Sequence, residues 1–311
     1  MRRKSKARGQ AQLQCMALSG MAYIFLFSIV PMYGFAIAFQ NYSFTKGIFG
    51  SSYAGLKYFH ELAADPDIWL AARNTVMMSL LKLALCFPVA IIFAILLSEV
   101  KNQTLRMLTQ TASYFPHFIS WVVISLMITY WFSSDFGMVN KLLLNLGLIR
   151  KPLLILTDPN SFYNLVVFSE MWKETGWSAI IFLAAIAGVD PTYYEAAVMD
   201  GATRIQRIYH ITLPCIRGAI ATVFMLNFAS LVNGVGGLFE QSFFLGNALN
   251  YESSIIISTY VIKVGIGLGR FSYATAAGLI NSTVSLLLLL TCNALSKKLL
   301  RQNLYSTGEE I

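Results

Sequence analysis

Six apolar runs, each about 20 residues or longer, constrain this chain more than any other feature of it, because runs of that length span the hydrocarbon core of a bilayer. A backbone inside hydrocarbon has to satisfy its own hydrogen bonds, so each run is expected to be helical. The runs predict spans at 16–39, 75–98, 108–132, 163–188, 218–239 and 273–296. Only 12% of the 311 residues are charged, about half the fraction usual in a soluble chain. The expected fold class is therefore an all-α integral membrane bundle of six transmembrane helices. A basic tail (1–15) precedes the membrane domain (16–296), and a short tail (297–311) follows it.

Basic residues set the expected orientation. Arg2, Arg3, Lys4, Lys6 and Arg8 fill the amino-terminal tail, and further basic residues occupy the 99–107 and 189–217 loops and the carboxy-terminal tail. That side carries thirteen basic residues, against eight spread over the longer segments 40–74, 133–162 and 240–272. The excess marks the cytoplasmic face, so both termini are expected there. Met16–Phe39 is too long for a signal-peptide core and lacks a small-x-small cleavage site, so it reads as an uncleaved span. The net charge of +8 is accounted for by these flanks, and no basic face with interleaved aromatics suggests nucleic acid. Cys15, Cys86, Cys215 and Cys292 have no metal-ligand spacing, and His60, His117 and His210 read as isolated. No Walker-type phosphate loop occurs; the Gly265–Gly269 run lacks the Gly-Lys-Ser/Thr ending. Ile255–Val264 is apolar enough for a short helix at the outer face.

The loop between spans four and five is the most informative segment. Asp190 and Pro191 form an N-cap and first-turn pair. Gly201 has the backbone freedom to end the helix that they start. A second short helix follows through Arg204, Arg207 and His210, and Pro214 is expected to close it and turn the chain into span five. Ala196 and Ala197 permit close approach by another surface, and the neighbouring Glu195 offers a charge-assisted hydrogen bond that fixes register. The plainer alternative is an amphipathic interfacial helix.

Glu195-Ala196-Ala197, then Asp200-Gly201, then Ile211-x-Leu213-Pro214 resembles, position by position, the coupling-loop signature of bacterial ATP-driven (ABC) import permeases. The segments 33–40, 114–121 and 183–190 are similar to the carbohydrate-importing branch, and within it to permeases for polysaccharides and oligosaccharides. The resemblance implies a type I importer bundle in a bacterial plasma membrane. It also implies a second, similar permease, two cytoplasmic ATPase subunits and an extracytoplasmic solute-binding protein. The substrate would be an oligosaccharide or polysaccharide fragment. This chain would hold no cofactor, and ATP and Mg would be used by the ATPase partners.

Ionisable residues at membrane depth are costly and normally face a bundle interior or a wet cavity. Glu170, Lys173 and Glu174 lie at helical spacing in span four, beside Trp172 and Trp177, whose rings suit sugar faces as well as packing. Asn227, Asn233 and Glu240 punctuate span five, and Gly234, Gly236 and Gly237 would let that helix bend or unwind. These side chains are candidates for the substrate pathway or the permease seam; a local ion pair and helix-to-helix hydrogen bonds are the alternatives. Lys82 is expected to snorkel to the outer side. Two other classes fit a polytopic chain: a secondary transporter, which has no use for the Glu-Ala-Ala loop, and a membrane-embedded glycan-processing enzyme, whose only paired carboxylates would be Glu170 and Glu174.

Overall fold

The computed structural model describes residues 14–229, 231, 234 and 236–300. The basic residues Arg2 to Arg8, the pathway candidate Asn233 and Arg301 lie outside these, as do the side chains of Lys297 and Lys298. Among the described residues, four unbroken helices are long and apolar enough to cross a membrane, and two bent helix pairs pass the same test. Counted with each bent pair as one span, these make up to six by length and composition. Contacts divide the described residues into two compact units.

The first unit comprises the residues up to Asp65 together with Val261–Leu279. It begins with helix α1 (Gln14–Phe39), followed by a two-stranded antiparallel ribbon of β1 (Gln40–Asn41) and β2 (Ser52–Tyr53). The Tyr42 amide donates to Ser272 Oγ (3.0 Å), and the Arg270 guanidinium pairs with Glu61 (2.6 Å) while lying over the Tyr273 ring.

The second unit holds Pro66–Tyr260 and the residues from Ile280 onward. Helix α2 (Pro66–Ser98) starts well before the expected 75, because Pro66 and Asp67 supply a favourable first turn to a polar extension of the apolar run. Span three is also not one rod. It consists of α3 (Gln103–Tyr114), a 3₁₀ turn (Phe115–Phe118) and α4 (Trp121–Phe132), bent by 96°. Pro116 lacks an amide hydrogen, and the Ser120 side chain caps a new helix by accepting from the Val123 amide.

Helix α5 (Met138–Asn145) lies in the segment 133–162. Its buried Asn140 bonds the carbonyls of Phe132, Ser133 and Leu153 and the amide of Leu153. Helix α6 (Pro159–Ala187) is span four. It packs along α2 through small side chains, Ala90 and Ala94 against Ala179, flanked by Phe182 and Leu183. A second apolar cluster joins Met78 of α2, Ile124 and Ile128 of α4, and Phe162, Leu165 and Val166 of α6.

After α7 (Pro191–Met199), helix α8 runs unbroken from Arg204 to Phe228. The expected turn at Pro214 is absent. A π-helical turn (Ile208–Thr212) precedes the proline, with the Leu213 amide bonding Ile208 O, so the widened turn seats the ring without ending the helix. Nor does span five reach 239, for its helix stops at Ala229. Gly234 and Gly236 have φ of 87° and 63°, and α9 (Leu238–Leu245) begins anew beyond them. At both positions the backbone is in the left-handed region that glycine adopts without strain. The apolar stretch near 257 forms a short helix, α10 (Ile257–Gly267), and α11 (Phe271–Leu300) is the last span.

Candidate functional site

The segment 189–217 folds as a helical hairpin whose ends are fixed by local chemistry. The Asp190 carboxylate accepts from the Thr192 amide (2.9 Å), and this hydrogen bond holds it below the ordinary carboxylate range. At the other end of α7, the Gly201 amide bonds Val198 O and the Ala202 amide bonds Ala197 O, with Gly201 at φ 76°. That pair of bonds is the Schellman arrangement, in which the left-handed residue is best supplied by glycine. Thr203 and Gln206 then form a reciprocal capping box for the start of α8. The Tyr194 hydroxyl meets Thr212 Oγ1 (3.0 Å) and ties the two arms together.

Glu195 and Ala196 are exposed, as is Asp200, and no bond among the described residues engages the Glu195 carboxylate. Ala197, Asp200, Gly201 and Ile211 border a notch of about 320 Å³ between the arms. Leu213 and Pro214 lie just beyond it, in the continuous part of α8.

Deeper in the same unit, a cavity of about 630 Å³ opens between α2, α6 and α8. Of the pathway candidates it brings together Glu170, Trp177 and Asn227, with Lys82, Glu174 and Gly236 beside them. Trp172 points instead into an apolar groove of about 510 Å³ beside Trp131 and Phe168. Glu240 sits in the first turn of α9 and lines neither space.

The charged residues of span four are not one intrahelical cluster. Glu170 pairs across helices with Lys82 (3.1 Å), and both are buried, Lys82 being 1% exposed. The expected snorkelling of Lys82 is therefore wrong. Because α2 starts early, Lys82 lies midway along it, too deep for its stem to reach a membrane surface. Lys173 turns the other way, donating to His117 O (2.6 Å) and pairing with Glu174 (2.9 Å), its ammonium 5.6 Å from the centre of the Trp121 ring.

His117, which reads as isolated in the sequence, is part of this network. Its Nδ1 is 2.7 Å from Glu174, and its ring stacks on Trp177 with centroids 4.1 Å apart and planes 1° from parallel. No local pattern links positions 117 and 174. The one available signal was that ionisable groups at membrane depth require partners. An arrangement of paired charges, an exposed indole (Trp177 is 43% exposed) and an amide suits hydroxyl-rich ligands.

Comparison with known proteins agrees with this architecture. Protein LplB of Bacillus subtilis (strain 168) is 39% identical over 293 residues, covering 94% of this chain and 91% of that protein. The polygalacturonan/rhamnogalacturonan transport system permease protein YteP of the same organism is 40% identical, covering 95% of this chain and 91% of that protein. A chain of a bacterial alginate ABC transporter, crystallised with an alginate pentasaccharide-bound periplasmic protein, superposes with a TM-score of 0.86 at 33% identity. That match covers 96% of this chain and 98% of the other. Residues 86–301 match the family of binding-protein-dependent transport system inner membrane components. This is a family of transport components, and the enzyme alternative is set aside on that ground. The chain belongs to that family, and is a permease subunit of an ABC importer.

Proposed function

We propose that this permease forms one half of a translocation pathway for an oligosaccharide or polysaccharide fragment. On this reading its amino-terminal tail and the hairpin 189–217 face the cytoplasm of a bacterial cell, where Glu195 and the flanking alanines engage one of two ATPase subunits that bind ATP and Mg. The second half of the pathway comes from a similar permease, lipid surrounds the pair, and an extracytoplasmic binding protein delivers the sugar. One observation carries the reading: the two arms leaving the hairpin, α6 and α8, are the helices whose Trp177 and Asn227 line the cavity.

Reconstitution tests it. Vesicles containing this chain, both ATPases, the partner permease and the binding protein are expected to take up polygalacturonan or alginate fragments when supplied with ATP. Vesicles lacking only the partner permease are expected to take up none, since one bundle walls only one side of a route. Uptake without the partner would establish a homodimer instead.

The hairpin contact has its own expected outcome. Glu195→Ala should leave insertion intact and weaken ATPase co-purification roughly tenfold or more, the loss of a hydrogen bond to a charged group. Gly201→Val should act in the same direction. There is open space around Gly201, but a β-branched residue at φ 76° costs about 1–2 kcal/mol of backbone strain. Undiminished co-purification of both variants would show that the hairpin is not the docking element.

A further inference from the structure

The middle of α6 grips both interrupted spans at once. At residue 236 a Cβ would run into Glu170 Oε1, and at 237 it would run into the Trp121 indole nitrogen, so the glycine break after α8 lies directly on the buried carboxylate and on the first residue of α4. Lys173, one turn along α6 from Glu170, donates to His117 O at the break between α3 and α4 and faces the Trp121 ring. Glu174 bonds His117 itself. The Lys82 ammonium holds Glu170 from the opposite side, on α2. The contacts therefore close a ring of Glu170, the glycine break, Trp121 and Lys173, with Lys82 attached through Glu170 and the proline break attached through Lys173.

This ring has a particular position relative to the hairpin. From Glu170 to the end of α6 at Ala187 the helix extends roughly 25 Å, at about 1.5 Å per residue, and the chain then turns by 71° into α7. The other arm, α8, runs from the hairpin as far as Phe228, and its Ile220 and Val223 pack against the cluster that holds Ala179, Phe182 and Leu183 of α6. Glu170 lines the cavity and touches Gly236, which lines it too. Two arms joined only at the hairpin would each be able to tilt alone. Packed together beyond it, they move as one lever, and displacement at the hairpin reaches Glu170 and the cavity wall.

We propose that Glu170, seated by Lys82 and packed against Gly236, is a positioning residue that transmits movement of the hairpin to the substrate cavity. The proposal rests on the importer reading above, and the experiment separates the two. Asn227→Cys, in a chain lacking its native cysteines, is assembled with the second permease and the ATPases in vesicles. Labelling by a water-soluble thiol reagent is then timed with and without ATP. In this parent the labelling rate is expected to change about tenfold with ATP, within the usual range of coupling between distant sites. With Lys82→Met and Glu170→Gln added together, no buried charge is left alone. This version is expected to assemble and hydrolyse ATP, yet to label at one rate whether or not ATP is present. Gly236→Ala keeps both charges but displaces the carboxylate, and is expected to give the same ATP-blind labelling. A contact that merely supports the fold would lower yield and leave the ATP response intact, and an intact response in both versions overturns the proposal. A parent whose labelling ignores ATP overturns the importer reading itself, and the proposal with it.

Discussion

Lys82→Met alone is expected to reduce the yield of folded, membrane-inserted protein severely, while the same change made together with Glu170→Gln restores it. The reason lies in how charge behaves in a medium of low dielectric. Lys82 and Glu170 face each other at 3.1 Å with almost no exposure, one near the midpoint of α2 and the other on α6. Removing one member of a buried pair leaves the other without its counter-ion, at a cost of about 3–5 kcal/mol. Exchanging both for neutral side chains of similar size is often neutral or stabilising by that same comparison. The measurement is the amount of monodisperse protein recovered in mild detergent for the single, the reciprocal single (Glu170→Gln) and the double change. Equal recovery of all three would mean that water reaches the pair freely, and its burial would then contribute nothing to the fold.

The elements that could be read in the sequence are those whose causes are local. Asp190, Pro191 and Gly201 fix the hairpin through bonds that reach no further than five residues along the chain, so its capping residues mark the boundaries of α7 directly. The apolar runs find the spans for a similar reason, since hydropathy is a property of a contiguous window. What hydropathy does not register is a change of backbone direction. The 96° bend at Pro116 and the glycine break near 236 both fall inside stretches that a hydropathy window reads as one span. Pro116 was a visible signal of the first, and the three glycines were a visible signal of the second, although only the glycines prompted an expectation.

The cross-helix network was illegible for another reason. Lys82 and Glu170 are 88 positions apart, and His117 and Glu174 are 57 apart. Their pairing follows from which faces of α2, α3 and α6 meet, and helical spacing within one span is silent about that. It also misdirected the reading of Lys173, which lies one turn from Glu170 and spends its hydrogen bond on a carbonyl of another span. The one general rule that does apply, that a charge in hydrocarbon needs company, says that Lys82 has a partner without saying which.

The face on which α3 meets α6 can be tested by a glycine whose substitution should change sign with its surroundings. Alanine is favoured over glycine in a helix by about 0.5–1 kcal/mol, so Gly→Ala in a span is stabilising wherever there is room. Gly278 in α11 has such room, with nothing within 4 Å of a Cβ placed there. Gly176 in α6 has none, for its Cβ would overlap the backbone carbonyl of Ser113 in α3, and two helix backbones cannot yield as the end of a flexible side chain can. Forcing a methyl group into that contact should cost about 1–3 kcal/mol, more than the helix gains. Gly176→Ala is therefore expected to lower the thermal midpoint of the detergent-solubilised protein, and Gly278→Ala to leave it unchanged or raise it. The close contact also holds α3 where His117 can reach Glu174, so Gly176→Ala should quench the Trp177 fluorescence differently from wild type by shifting the imidazole stacked on it. A midpoint for Gly176→Ala at or above that of Gly278→Ala would mean that the two backbones are further apart than the structure has them, and the network built across that seam would have to be redrawn.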